Sequence, residues 1–321
     1  MSAPLIFAIP SKGRLKDQVE GWLADAGFQL RVDGGARGYR AALSGLPGAE
    51  VRLLSASDIA AALDAGEVHL GVTGEDLLRE RGEGLDARVM LLRALGFGRA
   101  DLVVAAPKSW VDVETMADLD EVAHRHTVRT GRRMRVATKY LAQTRAFFAA
   151  HGVGDYRIVE SGGATEGAPA SGAAELIVDI TTTGATLAAN HLKILADGVI
   201  LRSQAQLAAS LSAEWDADQL AAVRRLLGVV EARGRAKGVA TLVWPAEQDE
   251  AADPVAARFV AAGASRRAHG LLVAEADLFD ATEALARAGV GPVTAARPDY
   301  VFEPQCDAVD ALAVKTGLTQ R

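Results

Sequence analysis

A buried strand that ends in a turn rich in glycine and threonine constrains the fold of this chain most strongly. Residues 175–187 read Glu-Leu-Ile-Val-Asp-Ile-Thr-Thr-Thr-Gly-Ala-Thr-Leu. The apolar run up to Ile180 predicts a buried strand, and a helical pattern opens at Leu187. Such strand–turn–helix units build open α/β sheets, in which ligands lie beyond the carboxyl ends of the strands.

The turn carries groups that suit an anion. Free backbone N–H groups before a helix point toward one spot, and Gly184 permits close approach of a ligand. Hydroxyls are added by Thr181, Thr182, Thr183 and Thr186. Asp179, at the end of the strand, can accept hydrogen bonds from sugar hydroxyls, so the segment fits a ribose 5-phosphate group. The alternative is an ordinary helix start capped by threonine, although four threonines exceed what a cap requires.

Composition narrows the class of protein. The 321 residues suffice for two or three domains, and 50% hydrophobic with 5% aromatic residues suits close helix–sheet packing. The formal net charge of -6 argues against general nucleic-acid binding but not against a phosphorylated substrate. The single cysteine, Cys306, excludes an internal disulfide and a cysteine-based zinc site. With no signal-like N-terminus and no apolar run of ~20 residues, we expect a soluble cytoplasmic protein without membrane partners.

Alternating strands and helices predict a parallel sheet covered on both faces. In the first part, strands are predicted at 5–9, 51–54 and 68–72, and helices at 14–26 and 58–63, with Asp58 as N-cap. After the turn at 95–98, strands are predicted at 101–106, 134–137, 157–159, 176–180, 193–195 and 199–201. From about residue 217, a long amphipathic helix is followed by a small α+β module.

Two cations lie at a predicted ligand edge. Lys12 and Arg14 follow the first strand, beside a helix N-terminus, which suits a pyrophosphate or triphosphate group. The alternative is a pair of solvated surface cations.

Other candidates are weaker. The turn that contains Gly71, Thr73 and Gly74 either binds a ligand or only tightens a strand-to-helix crossing. Glu166, in a glycine-rich loop, is a candidate for ribose or metal contact, although a lone loop glutamate is usually only exposed. His124 and His126 lack a third ligand and lie among cations, which favours a solvated surface over a metal site.

Six motifs occur in an order that resembles the ATP phosphoribosyltransferase family. They are Pro10-Ser-Lys-Gly-Arg-Leu, Gly71-Val-Thr-Gly-Glu-Asp-Leu-Leu preceded by Asp58-Ile59, Leu95-Gly-Phe-Gly, Arg135-Val-Ala-Thr-Lys-Tyr, Glu166-Gly-Ala-Pro, and Asp179-Ile-Thr-Thr-Thr-Gly-Ala-Thr-Leu. The resemblance covers roughly residues 5–210.

The resemblance implies a two-lobed, periplasmic-binding-protein-like (type II) α/β catalytic unit and a small C-terminal α+β, ferredoxin-like domain. The implied bounds are 1–97 and 191–213 for lobe I, 98–190 for lobe II, and 214–321 for the C-terminal regulatory or oligomerisation domain. A cut after about residue 212 is then expected to leave the catalytic unit intact.

The resemblance also implies a reaction and its partners. N1 of ATP attacks the anomeric carbon of phosphoribosyl pyrophosphate, and pyrophosphate leaves with Mg²⁺, which the substrate brings and no side chain is assigned to bind. Histidine is the implied feedback inhibitor, and the implied assembly is a homo-oligomer, either a dimer or a hexamer. The alternative is a non-catalytic, two-lobed ligand-binding or regulatory subunit.

The implied roles fall on the same residues. Asp179 binds the ribose hydroxyls, Glu166 positions the sugar, and Lys12 and Arg14 neutralise pyrophosphate or nucleotide phosphates. The 5-phosphate is held by Thr182, Thr183, Gly184, Ala185 and Thr186. Family members often carry an arginine just before the Asp58 position, where this chain has Leu-Leu-Ser-Ala-Ser at 53–57. Arg52 is the candidate substitute, with Gly71, Thr73 and Gly74 as further nucleotide contacts.

Overall fold

Three separate β-sheets organise the chain in the computed structural model, which describes residues 3–32 and 40–318. The first sheet has the strand order β2-β3-β4-β1-β5-β12-β6. Its strands are β1 (Leu5–Pro10), β2 (Gln29–Val32), β3 (Arg40–Ser44), β4 (Ala49–Leu54), β5 (Leu70–Gly74), β6 (Val89–Ala94) and β12 (Ala205–Ser210).

The first sheet is mixed rather than parallel throughout. Only β1, β4 and β5 run parallel to one another, whereas the hairpin β2–β3 and the strands β12 and β6 are antiparallel to their neighbours. The parallel prediction therefore holds for the centre of the sheet. The parallel arrangement of β1, β4 and β5 places their carboxyl ends at one edge of the sheet.

Short helices connect these strands. They are α1 (Gly13–Asp25), α2 (Ala56–Ala65), α3 (Glu75–Arg79) and α4 (Leu85–Arg88). The predicted helices at 14–26 and 58–63 are confirmed, but the cap of α2 is Ser55, whose Oγ accepts the N–H of Asp58 at 3.1 Å. Asp58 lies in the first turn instead, where a carboxylate favours the helix N-terminus.

The second sheet has the order β11-β7-β10-β8-β9. Its strands are β7 (Ala100–Pro107), β8 (Met134–Thr138), β9 (Tyr156–Glu160), β10 (Leu176–Thr181) and β11 (Leu192–Ser203), with helices α5 (Met116–Thr130), α6 (Leu141–Ala150) and α7 (Ala185–Ala189). Because β8, β9 and β10 are parallel, the segments after Thr138, Glu160 and Thr181 meet at one edge.

The chain crosses between the two sheets twice. The segment after β6 enters the second sheet, and Gln204 leads back from it; the two crossings bond to each other through Leu95 N–H to Ala205 O at 3.0 Å and Ala205 N–H to Phe97 O at 2.9 Å. The predicted strands 193–195 and 199–201 are one irregular strand, β11, which pairs with β7 in the second sheet. The return to the first sheet therefore begins after residue 203, not at residue 191.

The C-terminal part contains a ferredoxin-like unit, as expected. After α8 (Ala217–Ala236), the order is β13 (Val239–Val243), α9 (Asp249–Ala261), β14 (Ser265–Arg267), β15 (Gly270–Ala274), α10 (Leu278–Arg287) and β16 (Thr294–Ala296), followed by α11 (Asp307–Lys315). This βαββαβ chain forms an antiparallel sheet in the order β14-β15-β13-β16. All three residues of β14 are exposed, so no apolar alternation marks that strand in the sequence.

The helices α8 and α11 pack on the first lobe rather than on this small sheet. Leu220, Val223 and Leu227 of α8 join Phe7 and Leu23 in one apolar cluster. Val309 and Leu312 of α11 belong to the same cluster, whereas the ferredoxin-like unit has a core of its own. The separate C-terminal unit is thus shorter than the predicted range 214–321. Within the two described stretches of chain, no helix is long and apolar enough to cross a membrane.

His69 is a buried histidine that joins the first sheet to the segment before α8. Its Nδ1 accepts the N–H of Ile6 at 3.0 Å, so Nε2 carries the proton and donates to the Glu214 carbonyl at 2.9 Å. Burial lowers the pKa of His69 below its ordinary value of 6.5, although the bond to Glu214 acts in the opposite direction. At a pH between the folded and the unfolded pKa of His69, this side chain is therefore neutral in the folded chain and protonated in the unfolded chain.

The first prediction concerns where the chain can be divided. The buried apolar side chains of α8 contribute on the order of 10 kcal/mol, which is comparable to the stability of a whole domain. We expect a chain ending at residue 212 to fail to fold. By contrast, a chain in which a short Gly/Ser linker replaces residues 238–297 should unfold cooperatively, because α8 and α11 remain in the core of the first lobe. A short linker can span the gap because the two ends lie close together: Arg233 Nη1 donates to the Asp299 carbonyl at 3.1 Å. Circular dichroism during urea unfolding distinguishes the two; a folded 1–212 chain would contradict the assignment of α8.

The second prediction concerns acid. As pH falls from roughly 7.5 to 5.5, the free energy of unfolding should decrease more steeply for the wild type than for His69→Gln, by at most about 1.4 kcal/mol per pH unit, the value for one proton. The stability linked to His69 is fully present above the unfolded pKa and is lost below it. Urea unfolding across this range measures the slopes, with the exposed His151→Gln as control. Equal slopes for the wild type and His69→Gln would disprove the assignment.

Candidate active site

A cavity at the carboxyl edge of the second sheet brings six of the predicted site residues together. It has a volume of about 230 Å³, and Glu166, Asp179, Thr182, Thr183 and Thr186 line it, with Ala185 beside them. Glu166 comes from the loop between β9 and β10, and the others come from the end of β10 and the start of α7. Residues that are 20 positions apart in the sequence thus share one cavity.

Asp179 is the most strongly perturbed carboxylate of this cavity. Burial raises its pKa above the ordinary value, and the charge of Glu166 adds to that effect. The N–H of Ile180, which donates to Asp179 Oδ1 at 2.8 Å, and the charge of Lys139 act in the opposite direction. As pH falls, this carboxylate is therefore protonated earlier than an exposed aspartate and loses its capacity to accept hydrogen bonds.

The turn after β10 offers backbone amides rather than a helix dipole. Its helix, α7, has only five residues, so its dipole is small. The Gly184 N–H donates to Thr181 Oγ1 at 2.9 Å, and Gly184 has a left-handed φ of 74°. Gly184 thus shapes the turn and does not offer its amide. In the described part of the chain, the amides of Thr182 and Thr183 donate to no protein group, which leaves them available to an anion.

Lys139 is a cation of this site that the sequence analysis did not single out. It is exposed, directly follows β8, and lies close enough to Asp179 to influence the pKa of that carboxylate. β8 is the parallel neighbour of β10, so both strands end at the same edge. The sequence contained a signal for Lys139. Like Lys12, it follows a predicted strand, and ligands lie beyond the carboxyl ends of such strands.

Lys12 and Arg14 lie at the carboxyl edge of the first sheet. Both are exposed, and Lys12 is the N-cap residue of α1. The next residue, Leu15, packs closely against Gly98 in the first crossing between the sheets. The turn after β10 reaches the same crossing, since Thr182 Oγ1 donates to the Arg99 carbonyl at 3.3 Å. The two predicted anion sites therefore flank one crossing segment.

The weaker nucleotide candidates have packing roles. A Cβ at Gly71 would lie 2.6 Å from Ile59 Cγ2, so Gly71 lets α2 pack on β5. Thr73 is buried, and its hydroxyl donates to the Ala56 carbonyl at 2.7 Å. Arg52 Nε donates to Glu50 at 2.9 Å, and Nη1 reaches the Glu67 carbonyl, which precedes β5. Arg52 therefore points toward the amino end of the sheet, away from Lys12 and Arg14.

Gly74 makes room for an acid that the sequence analysis did not single out. A Cβ at Gly74 would lie 2.2 Å from Asp76 Oδ1, so only glycine lets this side chain turn back. Asp76 is buried; Tyr140 O–H donates to its Oδ2 at 2.6 Å, and Ser203 O–H donates to its Oδ1 at 2.8 Å. Burial and the carboxylate of Asp76 raise the pKa of Tyr140 far above its ordinary value. Asp76 thus joins α3 of the first lobe to the start of α6 and to the end of β11 in the second.

Glu80 adds a second bond between the lobes. Its carboxylate accepts the N–H of Ala142 at 2.8 Å and of Gln143 at 3.2 Å, and both are free N–H groups at the start of α6. Gln143 Nε2 donates to the Asp76 carbonyl at 2.9 Å. A carboxylate at a helix N-terminus is favourable, so α3 caps a helix of the opposite lobe.

The arrangement suits binding and electrostatic catalysis. Hydroxyls and amides face one cavity together with two carboxylates, and cations lie at the edges of both sheets. These groups can hold a phosphorylated sugar and neutralise a polyanion. In the described ranges, no group of three or more His, Cys, Asp or Glu side chains is arranged to hold a metal ion.

Comparison with known proteins identifies relatives. A profile of the ATP phosphoribosyltransferase family matches residues 55–230. An ATP phosphoribosyltransferase of Caulobacter vibrioides (strain NA1000 / CB15N) is 74% identical over 313 residues, covering 98% of this chain and 98% of that protein. One of Bradyrhizobium sp. (strain ORS 278) is 59% identical over 236 residues, covering 74% of this chain and 73% of that protein.

A solved structure is similar in fold. The ATP phosphoribosyl transferase (HisG:HisZ) complex from Thermotoga maritima gives a TM-score of 0.55 at 24% identity, covering 71% of this chain and 96% of that chain. At this identity the likeness concerns the fold alone.

The third prediction tests the contact between the lobes. Tyr140→Phe leaves Asp76 Oδ2 buried without its donor and should lower the free energy of unfolding by about 2 kcal/mol. Tyr156→Phe is the matched control, because the Tyr156 hydroxyl bonds to none of the described residues; it should cost less than about 0.5 kcal/mol. Urea unfolding measures both, and small-angle X-ray scattering should show a larger radius of gyration for Tyr140→Phe only. Equal effects of the two substitutions would contradict this role of Asp76.

Proposed function

Because the chain belongs to the ATP phosphoribosyltransferase family, we infer that it is the pentosyltransferase that condenses ATP with phosphoribosyl pyrophosphate. The products are N1-(5-phosphoribosyl)-ATP and pyrophosphate, in the first step of histidine biosynthesis. The expected alternative, a non-catalytic binding or regulatory subunit, is not favoured, because relatives that are 74% identical over nearly the whole chain bear the name of the enzyme.

The reaction needs alignment and charge stabilisation more than it needs a side-chain nucleophile. N1 of adenine supplies the electron pair, the N1–C1 bond forms as the C1–O bond to pyrophosphate breaks, and the configuration at C1 inverts. Holding both substrates in line supplies much of the rate enhancement. Stabilising the negative charge of the departing pyrophosphate supplies the rest.

We assign the phosphoribosyl group to the cavity after β10. The free amides of Thr182 and Thr183, together with the hydroxyl of Thr186, would bind the 5-phosphate. Asp179 would accept hydrogen bonds from the ribose hydroxyls, and Glu166 would position the ring. The support for this assignment is that these side chains line one cavity.

We assign the leaving group to the cations at the sheet edges. Lys12 and Arg14 from the first lobe, with Lys139 from the second, would neutralise pyrophosphate or the phosphates of ATP. Mg²⁺ would enter with the pyrophosphate and withdraw charge from it, and the oxygen-rich surroundings of Asp179 and Glu166 fit a hard cation.

We also propose that the ferredoxin-like unit has a regulatory or assembly role, with histidine as inhibitor and a dimeric or hexameric homo-oligomer. Its own apolar core and its attachment through α8 support a role separate from the transfer reaction. The chain that lacks residues 238–297 tests this role directly, because it should retain transfer and lose sensitivity to histidine.

The fourth prediction tests the transfer reaction. Protein, ATP, Mg²⁺ and phosphoribosyl pyrophosphate should yield the near-ultraviolet absorbance of an N1-substituted adenine. Asp179→Asn and Thr186→Val should each lower kcat/KM by about 100-fold or more, because each removes a contact to the reacting sugar phosphate. The remote variants Asp280→Asn and Thr282→Val serve as matched controls. A folded sample that forms no product would reject the transferase assignment, and full activity in both site variants would reject the site.

A further inference from the structure

A second strongly charged region lies on the back of the second lobe. Residues 124–135 contain five arginines, two histidines and no carboxylate, in a chain whose formal net charge is -6. They form the end of α5, the turn after it and the start of β8. The segment was interpreted above only as a surface unsuited to a metal.

The fold adds a further arginine to this segment. Arg135 on β8 and Arg157 on β9 are directly paired in register on parallel neighbouring strands, so they lie side by side near the amino ends of those strands. This edge is opposite the one that carries Asp179. A cavity of about 600 Å³ lies here, lined mainly by His126, Arg132, Arg133, Arg135, Arg157 and Glu175.

The protein itself neutralises only part of this charge. Glu175 binds Arg135, with Oε1 2.6 Å from Nη2. Within the described ranges, Arg132, Arg133 and Arg157 form no ion pair. Cations near the C-terminus of α5 offset the helix dipole, which accounts for Arg129 and Arg132. It does not account for Arg133 or Arg157, which lie outside the helix and would repel each other without an anion.

A cavity with an apolar part adjoins the cationic one. It has a volume of about 670 Å³ and shares His126 with its neighbour. Trp110, Val122, Val128 and Met134 form the apolar part of its lining, and His124, Arg125 and Arg129 complete it. The Val128 side chain, on α5, is 73% exposed. An aromatic and aliphatic surface beside unpaired guanidinium groups matches a ligand with a flat ring at one end and phosphates at the other. Arginine binds phosphate oxygens in pairs, and an aromatic side chain stacks on a base.

We propose that this back surface binds a nucleoside polyphosphate at a site distinct from the substrate cavity. Arg132, Arg133 and Arg157 bind the phosphates, and the base lies against Trp110 and Val128. Two sources share this chemistry: the substrate nucleotide ATP and other nucleotides such as GTP. The site is on the lobe that carries Asp179 but at the other end of its strands, so a ligand there does not compete for the sugar phosphate.

The experiment uses the full chain and a GTP that carries the fluorescent mant group. Binding is followed by energy transfer from tryptophan and checked by equilibrium dialysis. We expect Arg133→Gln with Arg157→Gln to weaken binding at least tenfold while the basal rate of transfer stays within twofold. Trp110→Phe should weaken binding less. The double variant Lys12→Gln with Arg14→Gln, which removes cations assigned above to the substrate phosphates, should bind mant-GTP within twofold of the wild type.

Matched controls separate a specific site from general charge. Arg258→Gln with Arg267→Gln removes the same charge from the exposed surface of the ferredoxin-like unit and should leave binding unchanged. Thermal unfolding confirms that each variant is folded, and Arg157→Gln alone serves if the double variant is not. In the chain with Lys12→Gln and Arg14→Gln, displacement of mant-GTP by ATP identifies the substrate nucleotide as the ligand, whereas displacement by GTP alone identifies a different nucleotide.

Three results would overturn the proposal. Unchanged binding in the Arg133 and Arg157 double variant would remove the phosphate site. Equal displacement by inorganic tripolyphosphate and by GTP would show that the apolar cavity recognises no base. Displacement by a short RNA at concentrations well below those of GTP would assign the surface to a nucleic acid instead.

Discussion

The arrangement of the two lobes depends on one buried carboxylate. Burying an unpaired charge costs several kcal/mol, so Asp76 is tolerated only where donors surround it. Ser203 and Tyr140 supply those donors, one from the end of β11 and one from the start of α6. The same requirement explains Gly74, since any side chain there would collide with the carboxylate. Glu80 completes the contact by capping α6. These polar bonds, together with the packing of Leu77 on the core of the second lobe, specify how α3 meets that lobe.

This contact positions the chemistry. The first sheet presents Lys12 and Arg14 at its carboxyl edge, and the second presents Asp179 and the turn after it. Both edges approach the first crossing segment, through Leu15 at Gly98 and Thr182 at Arg99. A transfer reaction that forms no covalent intermediate with the protein gains most from such placement. The acidic net charge of the chain is compatible with polyanionic substrates because backbone amides and a few local cations provide the positive potential.

The sequence predicted many of the local elements but missed the strands β2, β3, β6 and β12 and the helix α5, and it predicted the assembly of the elements less well. The strand and turn at Asp179 to Thr186 were predicted because strand burial, turn chemistry and helix pattern all agree there. The roles of Gly71, Thr73 and Arg52 could not be read in the same way, since a glycine or threonine after a strand serves packing and binding equally. The contacts from Gly71 to Ile59 and from Thr73 to Ala56 give both residues a packing role, and both contacts join residues 12 or more positions apart. In the sequence, Asp76 is indistinguishable from an ordinary acid in the first turn of a helix. Only the tertiary structure shows that Tyr140 and Ser203 bind its carboxylate.

The amino-acid sequence by itself determined the α/β class, the order of the motifs and the strand with its glycine–threonine turn at residues 175–187, because these follow from short-range periodicity and turn chemistry. The ferredoxin-like unit was implied by the family resemblance, since no apolar alternation marks β14. Only the tertiary structure decided which core each segment completes. The helix α8 reads as the start of a separate domain, yet its apolar stripe is buried against β1 and α1. An amphipathic pattern states that a helix face must be covered, but it does not state which surface covers it. The same limit applies to Arg135 and Arg157, which only the register of β8 and β9 places side by side.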